Sequence, residues 1–138
     1  MIRIQKTVTG YLTVSMMATI TMFSSSAPVR ATETIENMLV EFGSTRGITF
    51  SASAGKATWL REEGDRSCTS CHTDSVYSKG RHERTGKVIE PMAPSVNPGR
   101  YTDRKKINKW LLRNCKWTFG RECTVQEKGD VLLWLSQQ

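Results

Sequence analysis

The chain has 138 residues, 20 of them basic and 13 acidic, and a formal net charge of +7. Since the basic residues are spread along the sequence rather than gathered in one patch, we expect no nucleic-acid partner. The length suits one domain with a modest hydrophobic core and is too short for several domains.

Residues 1–31 have the layout of a secretory signal peptide. Arg3 and Lys6 form a basic start, residues 8–23 are uncharged and mostly apolar, and Val29-Arg30-Ala31 ends in the small residues that a signal peptidase recognises. We predict cleavage after Ala31, which leaves one mature domain over 32–138 with 17 basic and 13 acidic residues. A membrane anchor is the alternative, but this apolar stretch is shorter than the about 20 residues that span a bilayer.

Two helices are predicted next. Ile35, Leu39 and Phe42 recur at a spacing of four and then three residues, which places them on one face of a helix over 32–42. A second helix is predicted to begin near Ser53 and to end before Gly64. It leads directly into the motif that follows.

That motif, Cys68-Thr69-Ser70-Cys71-His72, is the attachment signature of a c-type haem. Each thiol adds across one vinyl group of the porphyrin, and the imidazole of the next residue ligates iron. We therefore predict one covalently bound haem c, with Cys68 and Cys71 as its thioether links and His72 as the proximal ligand. A thioredoxin-like pair or half a zinc site also uses C-x-x-C, but neither needs the adjoining histidine.

The segment 73–101 shows little periodicity and contains three of the four prolines. A loop this long in a compact domain is usually functional or disordered, and we interpret it as a wrap around the haem edge. The run Pro91-Met92-Ala93-Pro94 is expected to be extended because prolines bound it. Four cations and one phenol are candidates to meet the haem propionates: Arg81, Arg84, Lys87, Arg100 and Tyr101.

A third helix is predicted after Thr102 or Asp103, either of which can cap it. Its apolar stripe of Ile107, Trp110 and Leu111 continues, three residues on, to Asn114. An asparagine therefore lies in line with a stripe that we expect to be buried.

The last helix is predicted over about 125–135. Thr124 and Glu127 form a capping box at its start, and Leu132 and Leu135 are its expected core residues, joined by Val131 and Trp134. No segment requires a strand, so the predicted fold class is all-α, with about four helices around the haem.

The residues leave the second axial ligand of the iron open. Met92 is the default choice for an electron-carrying cytochrome c. His82 would give bis-histidine iron, but its charged neighbours indicate a surface position. Asn114 is in register with the stripe of the third helix, and iron could be the partner that a buried amide needs. The ordinary explanation of an asparagine at this position is that it ends the helix, because asparagine tolerates the left-handed conformation found there.

Five short runs, in chain order, carry a resemblance to a known family: Pro91-Met92-Ala93-Pro94-Ser95-Val96-Asn97, Arg100-Tyr101-Thr102-Asp103, Arg113-Asn114-Cys115, Gly120-Arg121-Glu122-Cys123 and Glu127-Lys128-Gly129-Asp130. These runs resemble the SHP cytochromes, the sphaeroides haem proteins. The likeness covers nearly all of 65–135 and is most specific at Asn114-Cys115. It implies a class I cytochrome c fold.

The resemblance also implies roles for single residues. In that family the residue matching Asn114 ligates ferric iron and leaves it on reduction, and the cysteines matching Cys115 and Cys123 form a disulfide. The related cytochromes c-double-prime have histidine in place of this asparagine and also release it on reduction. A bacterial periplasmic location and a redox partner that is another cytochrome, multihaem or membrane-bound, are further expectations.

An amide oxygen is a hard, weak donor that suits ferric iron better than ferrous iron. We therefore predict electron transfer coupled to redox-gated binding of diatomic ligands (O2, NO or CO). The first alternative is an ordinary electron shuttle that uses Met92 and never opens. The second is an oxidase or reductase acting on a small molecule at the open iron, although no acid or base is clearly placed for turnover.

Overall fold

The structure is a computed structural model that describes residues 29–44 and 47–138. Its helices are α1 (Val29–Ser44), α2 (Ala52–Leu60), α3 (Thr69–His72), α4 (Arg104–Phe119) and α5 (Val125–Ser136). Two short strands, β1 (Gly80–Arg81) and β2 (Val88–Ile89), form an antiparallel hairpin between α3 and α4. The predicted all-α class is confirmed, and the hairpin is an addition to it.

Most of the predicted signal peptide, residues 1–28, lies outside the described residues, and cleavage after Ala31 stays a prediction. Within the described part, no helix combines the length and the apolar character that a membrane span requires.

Three helix starts follow from side-chain caps. The Ser51 hydroxyl accepts a hydrogen bond from the Ala54 amide at the start of α2, and the Asp103 carboxylate accepts one from the Lys106 amide at the start of α4. Thr124 and Glu127 form the complete capping box of α5. The predicted caps of the last two helices are therefore confirmed, and Asp103 rather than Thr102 caps α4.

Helix α1 packs against α5 and touches α4. Ile35 and Met38 are fully buried, in one cluster with Ile107 of α4 and Leu132 of α5. The sequence stripe missed Met38, and Leu39 and Phe42 are only partly buried. The buried face of α1 is therefore turned by about one residue from the predicted one, toward Ile107 of α4 and Leu132 of α5.

Helices α2 and α5 cross in close contact at Gly55. A Cβ atom at this position would lie 2.0 Å from the backbone oxygen of Asp130, so only glycine allows the two backbones to approach this far. The buried Asp130 carboxylate accepts hydrogen bonds from the Ser51 amide (2.7 Å) and the Gln126 side chain (2.8 Å). This crossing fixes the end of α2, which carries Trp59.

The segment 73–101 is held together by hydrogen bonds within it. The amides of Met92 and Ala93 both donate to the Val76 oxygen (2.8 and 2.9 Å), and the Asn97 side chain donates to the Pro91 oxygen (2.9 Å). The two strands were not predicted, because two residues each are too short to show the alternation that identifies a strand.

Candidate haem site

The motif folds as the single turn α3. The His72 amide donates to the Cys68 oxygen (3.1 Å), and the Ser70 hydroxyl accepts from the Ser67 amide (3.0 Å). Positions three and four apart lie on one side of a helical turn. Cys68, Cys71 and His72 are therefore brought to the same side, and all three line one cavity.

Backbone contacts hold this turn from outside. Thr73, directly after His72, has φ +62° and ψ 175°, a conformation that is almost confined to glycine and costs on the order of 1–3 kcal/mol. Its amide donates to the Thr69 oxygen (2.9 Å). A Cβ on Gly80 of β1 would lie 2.1 Å from the Cys71 oxygen. The hairpin is thus pressed against the motif, which favours a fixed position for His72.

The His72 imidazole is buried beside the Trp59 indole, with ring centroids 5.2 Å apart. Burial, with a further contribution from the positive charge of Arg100, lowers the pKa of His72 to about 4. The ring is therefore neutral at pH 7. Neutral imidazole is the form that ligates a metal.

The two cysteines of the motif do not suit the competing interpretations. They are unpaired, and burial raises the pKa of the Cys68 thiol to about 11, whereas reactive dithiol pairs have lowered thiol pKa values. Among the described residues, no group of three or more His, Cys, Asp or Glu side chains could hold a metal ion. Attachment of a haem remains the chemistry that this motif fits.

The cavity beside the motif has a volume of about 1110 Å³, slightly above the about 300–1,000 Å³ of typical ligand pockets. Its apolar lining includes Trp59, Ile107 and Leu132. Buried polar atoms that lack hydrogen-bond partners within the described chain include Trp59 Nε1 and the Tyr101 hydroxyl, and such groups normally pair. The apolar lining can cover a flat porphyrin ring, and the unpaired donors can bond to its carboxylates. The residues present therefore fit a haem.

Helix α4 forms one wall of this cavity. Asn114 lines the cavity and is exposed to it, as are Trp110 and, in part, Leu111, whereas Ile107 is buried. The stripe that the sequence predicts as buried core is therefore the cavity-facing side of the helix. The correction for Trp110, which is 50% exposed, and for Asn114 has one physical reason: this face packs against the cavity rather than against another helix.

Met92 and His82, the other two ligand candidates, also line the cavity. Met92 is buried in one cluster with Trp59 and Val76, and its sulfur accepts a hydrogen bond from Arg100. Met92 therefore shares the Trp59 indole with His72 as a neighbour. His82 is half-buried and its Nδ1 accepts from the Thr85 amide (3.2 Å), so it is less exposed than predicted.

Four of the five propionate candidates line the cavity, namely Arg84, Lys87, Arg100 and Tyr101. Arg81 does not, and its guanidinium donates to the Gly86 oxygen (3.0 Å) in the hairpin turn instead. The Tyr101 hydroxyl lies beside the Arg100 guanidinium but makes no hydrogen bond of normal geometry. Burial raises the pKa of Tyr101, so the phenol stays a donor.

Directly after Asn114, the structure joins Cys115 of α4 to Cys123 in a disulfide with Cα atoms 5.5 Å apart. Both residues are buried and line the cavity. The bridge connects the end of the cavity wall to the start of α5.

Sequence reasoning missed two features of this site. Trp59 was assigned to a helix without a role, yet it contacts His72 and offers a donor to the cavity. Arg61 was not singled out, yet it lies over the Phe119 ring and pairs with Glu127 (3.0 Å). Nothing in local sequence signals these contacts, because each joins residues about 13 to 66 positions apart.

Comparisons with known proteins agree with this geometry. Residues 45–135 match a family model described as a domain of unknown function, DUF1924. The cytochrome c-type protein SHP of Cereibacter sphaeroides is 40% identical over 119 residues, covering 82% of this chain and 92% of that protein. Cytochrome c'' of Methylophilus methylotrophus is 35% identical over 71 residues, covering 51% of this chain and 49% of that protein.

Solved structures show the same two relatives. Oxidised SHP, described as an oxygen-binding cytochrome c, matches with a TM-score of 0.69 at 39% identity, over 75% of this chain and 96% of its own. Oxidised cytochrome c'' matches with a TM-score of 0.67 at 26% identity, over 78% and 96%. The predicted cytochrome c fold is therefore confirmed.

Proposed function

Since this chain belongs to the SHP cytochrome family and is a cytochrome with one haem c, we propose that it transfers electrons and binds diatomic ligands at the reduced iron. Cys68 and Cys71 form the thioether links and His72 is the proximal ligand. Asn114 ligates the ferric iron and leaves it on reduction, which opens the site to O2, NO or CO.

The observation that carries this proposal is the placement of Asn114 relative to Met92. Asn114 is exposed on the cavity-lining face of α4, while Met92 is buried with Trp59 and its sulfur accepts a hydrogen bond from Arg100. A sulfur that is buried and already accepts a hydrogen bond is less available to iron than an amide on the cavity-lining face of a helix. This arrangement favours Asn114 over Met92.

The chemistry of the amide supports a gate. A neutral, hard oxygen donor prefers ferric to ferrous iron, so one added electron weakens its bond. A methionine sulfur has the opposite preference and would keep the reduced site closed. The relative described as oxygen-binding supports O2 as one of the ligands.

We further propose that the protein is exported to the periplasm of a bacterium and receives its electron from another cytochrome, multihaem or membrane-bound. The signal-like composition of residues 1–31 supports export. A single haem without an internal electron source requires an external donor.

Optical spectra of both redox states, with and without carbon monoxide, test the gate. We expect low-spin ferric haem, high-spin ferrous haem and rapid binding of carbon monoxide to the ferrous form. A ferrous form that is low-spin and does not bind carbon monoxide would contradict the proposal and favour Met92.

A matched pair of variants then identifies the ligand. Asn114→Ala should give a high-spin or water-bound ferric haem, because the amide donor is removed. Met92→Leu, which conserves volume in the cluster around Trp59, should keep the low-spin ferric spectrum. The reverse pattern would assign the iron to Met92.

A further inference from the structure

Helix α4 concentrates positive charge, which corrects the expectation that the basic residues are only spread along the sequence. Its 16 residues include six basic and no acidic side chains. The described residues include 17 basic and 13 acidic ones. Outside α4 there remain 11 basic residues and all 13 acidic residues. Within the described residues, positive charge is therefore concentrated on α4, which forms one wall of the haem cavity, and the remainder is slightly acidic.

Three of these six cations have acidic partners: Arg104 with Glu41, Lys106 with Asp103 (3.7 Å) and Lys116 with Glu122 (3.2 Å). The other three, Lys105, Lys109 and Arg113, form no ion pair with any described acidic residue and are exposed. They recur at a spacing of four residues, which places them in one row along the helix. We call this row the α4 basic stripe.

The stripe borders the cavity through an exposed aromatic side chain. Trp110 lines the cavity and is 50% exposed, and its ring lies under Lys109 Nζ (5.3 Å) and Arg113 Cζ (5.7 Å). On the other side of the stripe, Leu112 is 37% exposed. Tryptophan and arginine are enriched at the centres of protein interfaces, and the two lysines add positive charge around this exposed pair.

We propose that the α4 basic stripe, with Trp110, is the docking surface for an acidic redox protein that exchanges electrons with the haem. This inference rests on the proposed function, which requires such a partner. Carboxylates on the partner face Lys105, Lys109 and Arg113, and its apolar contact is Trp110. Docking here brings the partner to the wall that carries Asn114, so the path for the electron is short.

The stripe also sets the rate of encounter, because a local positive field attracts a negative surface and loses this effect in high salt. One-electron oxidants of opposite charge serve as probes of that field. Anionic ferricyanide and cationic tris(phenanthroline)cobalt(III) each take one electron from the ferrous haem, which becomes ferric. Both reactions are followed anaerobically by stopped flow on the holoprotein.

The test variant is Lys105→Gln/Lys109→Gln. Its control is Lys56→Gln/Lys79→Gln, which removes the same charge from exposed sites on α2 and before β1 that do not line the cavity. We expect ferricyanide oxidation to slow about three- to tenfold in the α4 variant at low ionic strength, with the cobalt complex accelerated. The control should change both rates by less than about twofold. Equal effects of the two variants would overturn the proposal.

Backbone amide shifts of the labelled holoprotein separate an acidic protein surface from a membrane. Poly-L-glutamate should shift amides of α4 in the wild type and in the control, and not in the α4 variant. Shifts caused only by vesicles of phosphatidylglycerol and phosphatidylcholine in equal parts would overturn docking of a protein. Carbon monoxide binding is measured in parallel: its absence in the wild type would contradict the proposed gate, while the rate comparison would still decide the docking surface.

Discussion

The Glu127 carboxylate joins three parts of the molecule. Its oxygens accept hydrogen bonds from Arg61 after α2 (3.0 Å), from Arg121 in the connection to α5 (2.8 Å) and from the Thr124 amide (2.8 Å). The bonds from Arg121, with those from Thr124 and Arg61, hold the pKa of Glu127 well below its usual range. One side chain therefore ties the disulfide-linked connection to the rest of the fold.

Glu127→Gln should lower the free energy of unfolding by about 1–2 kcal/mol at pH 7, because charge-assisted hydrogen bonds and the capping box are weakened. The folded pKa is depressed, so this stabilisation is present above the unfolded pKa of about 4.5 and is lost as the pH falls below it. Urea unfolding at pH 7 and pH 3 should therefore show a smaller difference from the wild type at pH 3.

The exposed Glu62→Gln is the control for this prediction, and it should stay within about 0.5 kcal/mol of the wild type. If Glu127→Gln lowers the free energy of unfolding by the same amount at both pH values, the charge of Glu127 does not contribute to stability.

At the scale of the elements, α2 and α5 approach each other closely at Gly55. Gly55→Ala would place a Cβ against the Asp130 backbone and force the helices apart, which should cost about 1–3 kcal/mol or more. The exposed Ala57→Ser in the same helix should be close to neutral. Thermal unfolding of the two variants checks this, and an unchanged midpoint for Gly55→Ala would mean that the crossing is looser than described.

The connection between α4 and α5 is expected to limit the travel of Asn114. Cys115→Ser/Cys123→Ser removes a bridge with a sequence separation of 8, which should lower the free energy of unfolding by about 2–3 kcal/mol in the chain-entropy model. It should also slow the return of Asn114 to the iron after oxidation, because the released end of α4 can move further. Ligand-exchange kinetics after rapid oxidation measure this effect, and unchanged kinetics would remove the proposed tether.

Across the whole molecule, the haem cavity separates two kinds of packing. Helices α1 and α2 each pack against α5, whereas α4 buries only Ile107, Cys115 and Thr118 and lines the cavity with Trp110, Leu111, Trp117 and Phe119. Without haem, α4 is held by Ile107, by its disulfide and by ion pairs at the surface, and its cavity-lining face is left uncovered. Cys68→Ala/Cys71→Ala, which cannot attach haem covalently, should therefore lose protection in α4 first.

Hydrogen exchange on the haem-free form of this variant checks the expectation. Amides of α4 should exchange at least about tenfold faster than those of α5, because local opening follows the density of buried contacts. Uniform protection in both helices would show that the protein alone keeps the cavity wall in place.

Much of the fold and half of the site follow from local patterns. The C-x-x-C-H spacing is set by covalent chemistry, and the caps at Asp103 and Thr124 satisfy backbone amides within one turn, so both can be recognised without tertiary information. The two-residue strands and the burial of Met92 depend on contacts with Val76 and Gly80. No periodicity encodes such contacts.

The sequence by itself predicted haem attachment through Cys68 and Cys71 and showed that Asn114 follows the apolar stripe of a helix. Only the tertiary structure decided what that stripe faces. A period of 3.6 residues shows that side chains share a side, but an adjacent helix and a cofactor cavity select the same apolar residues. The packing of α1, α2 and α5 leaves the α4 stripe facing the cavity, which is the physical reason that Asn114 lies among the candidate ligands rather than in a core.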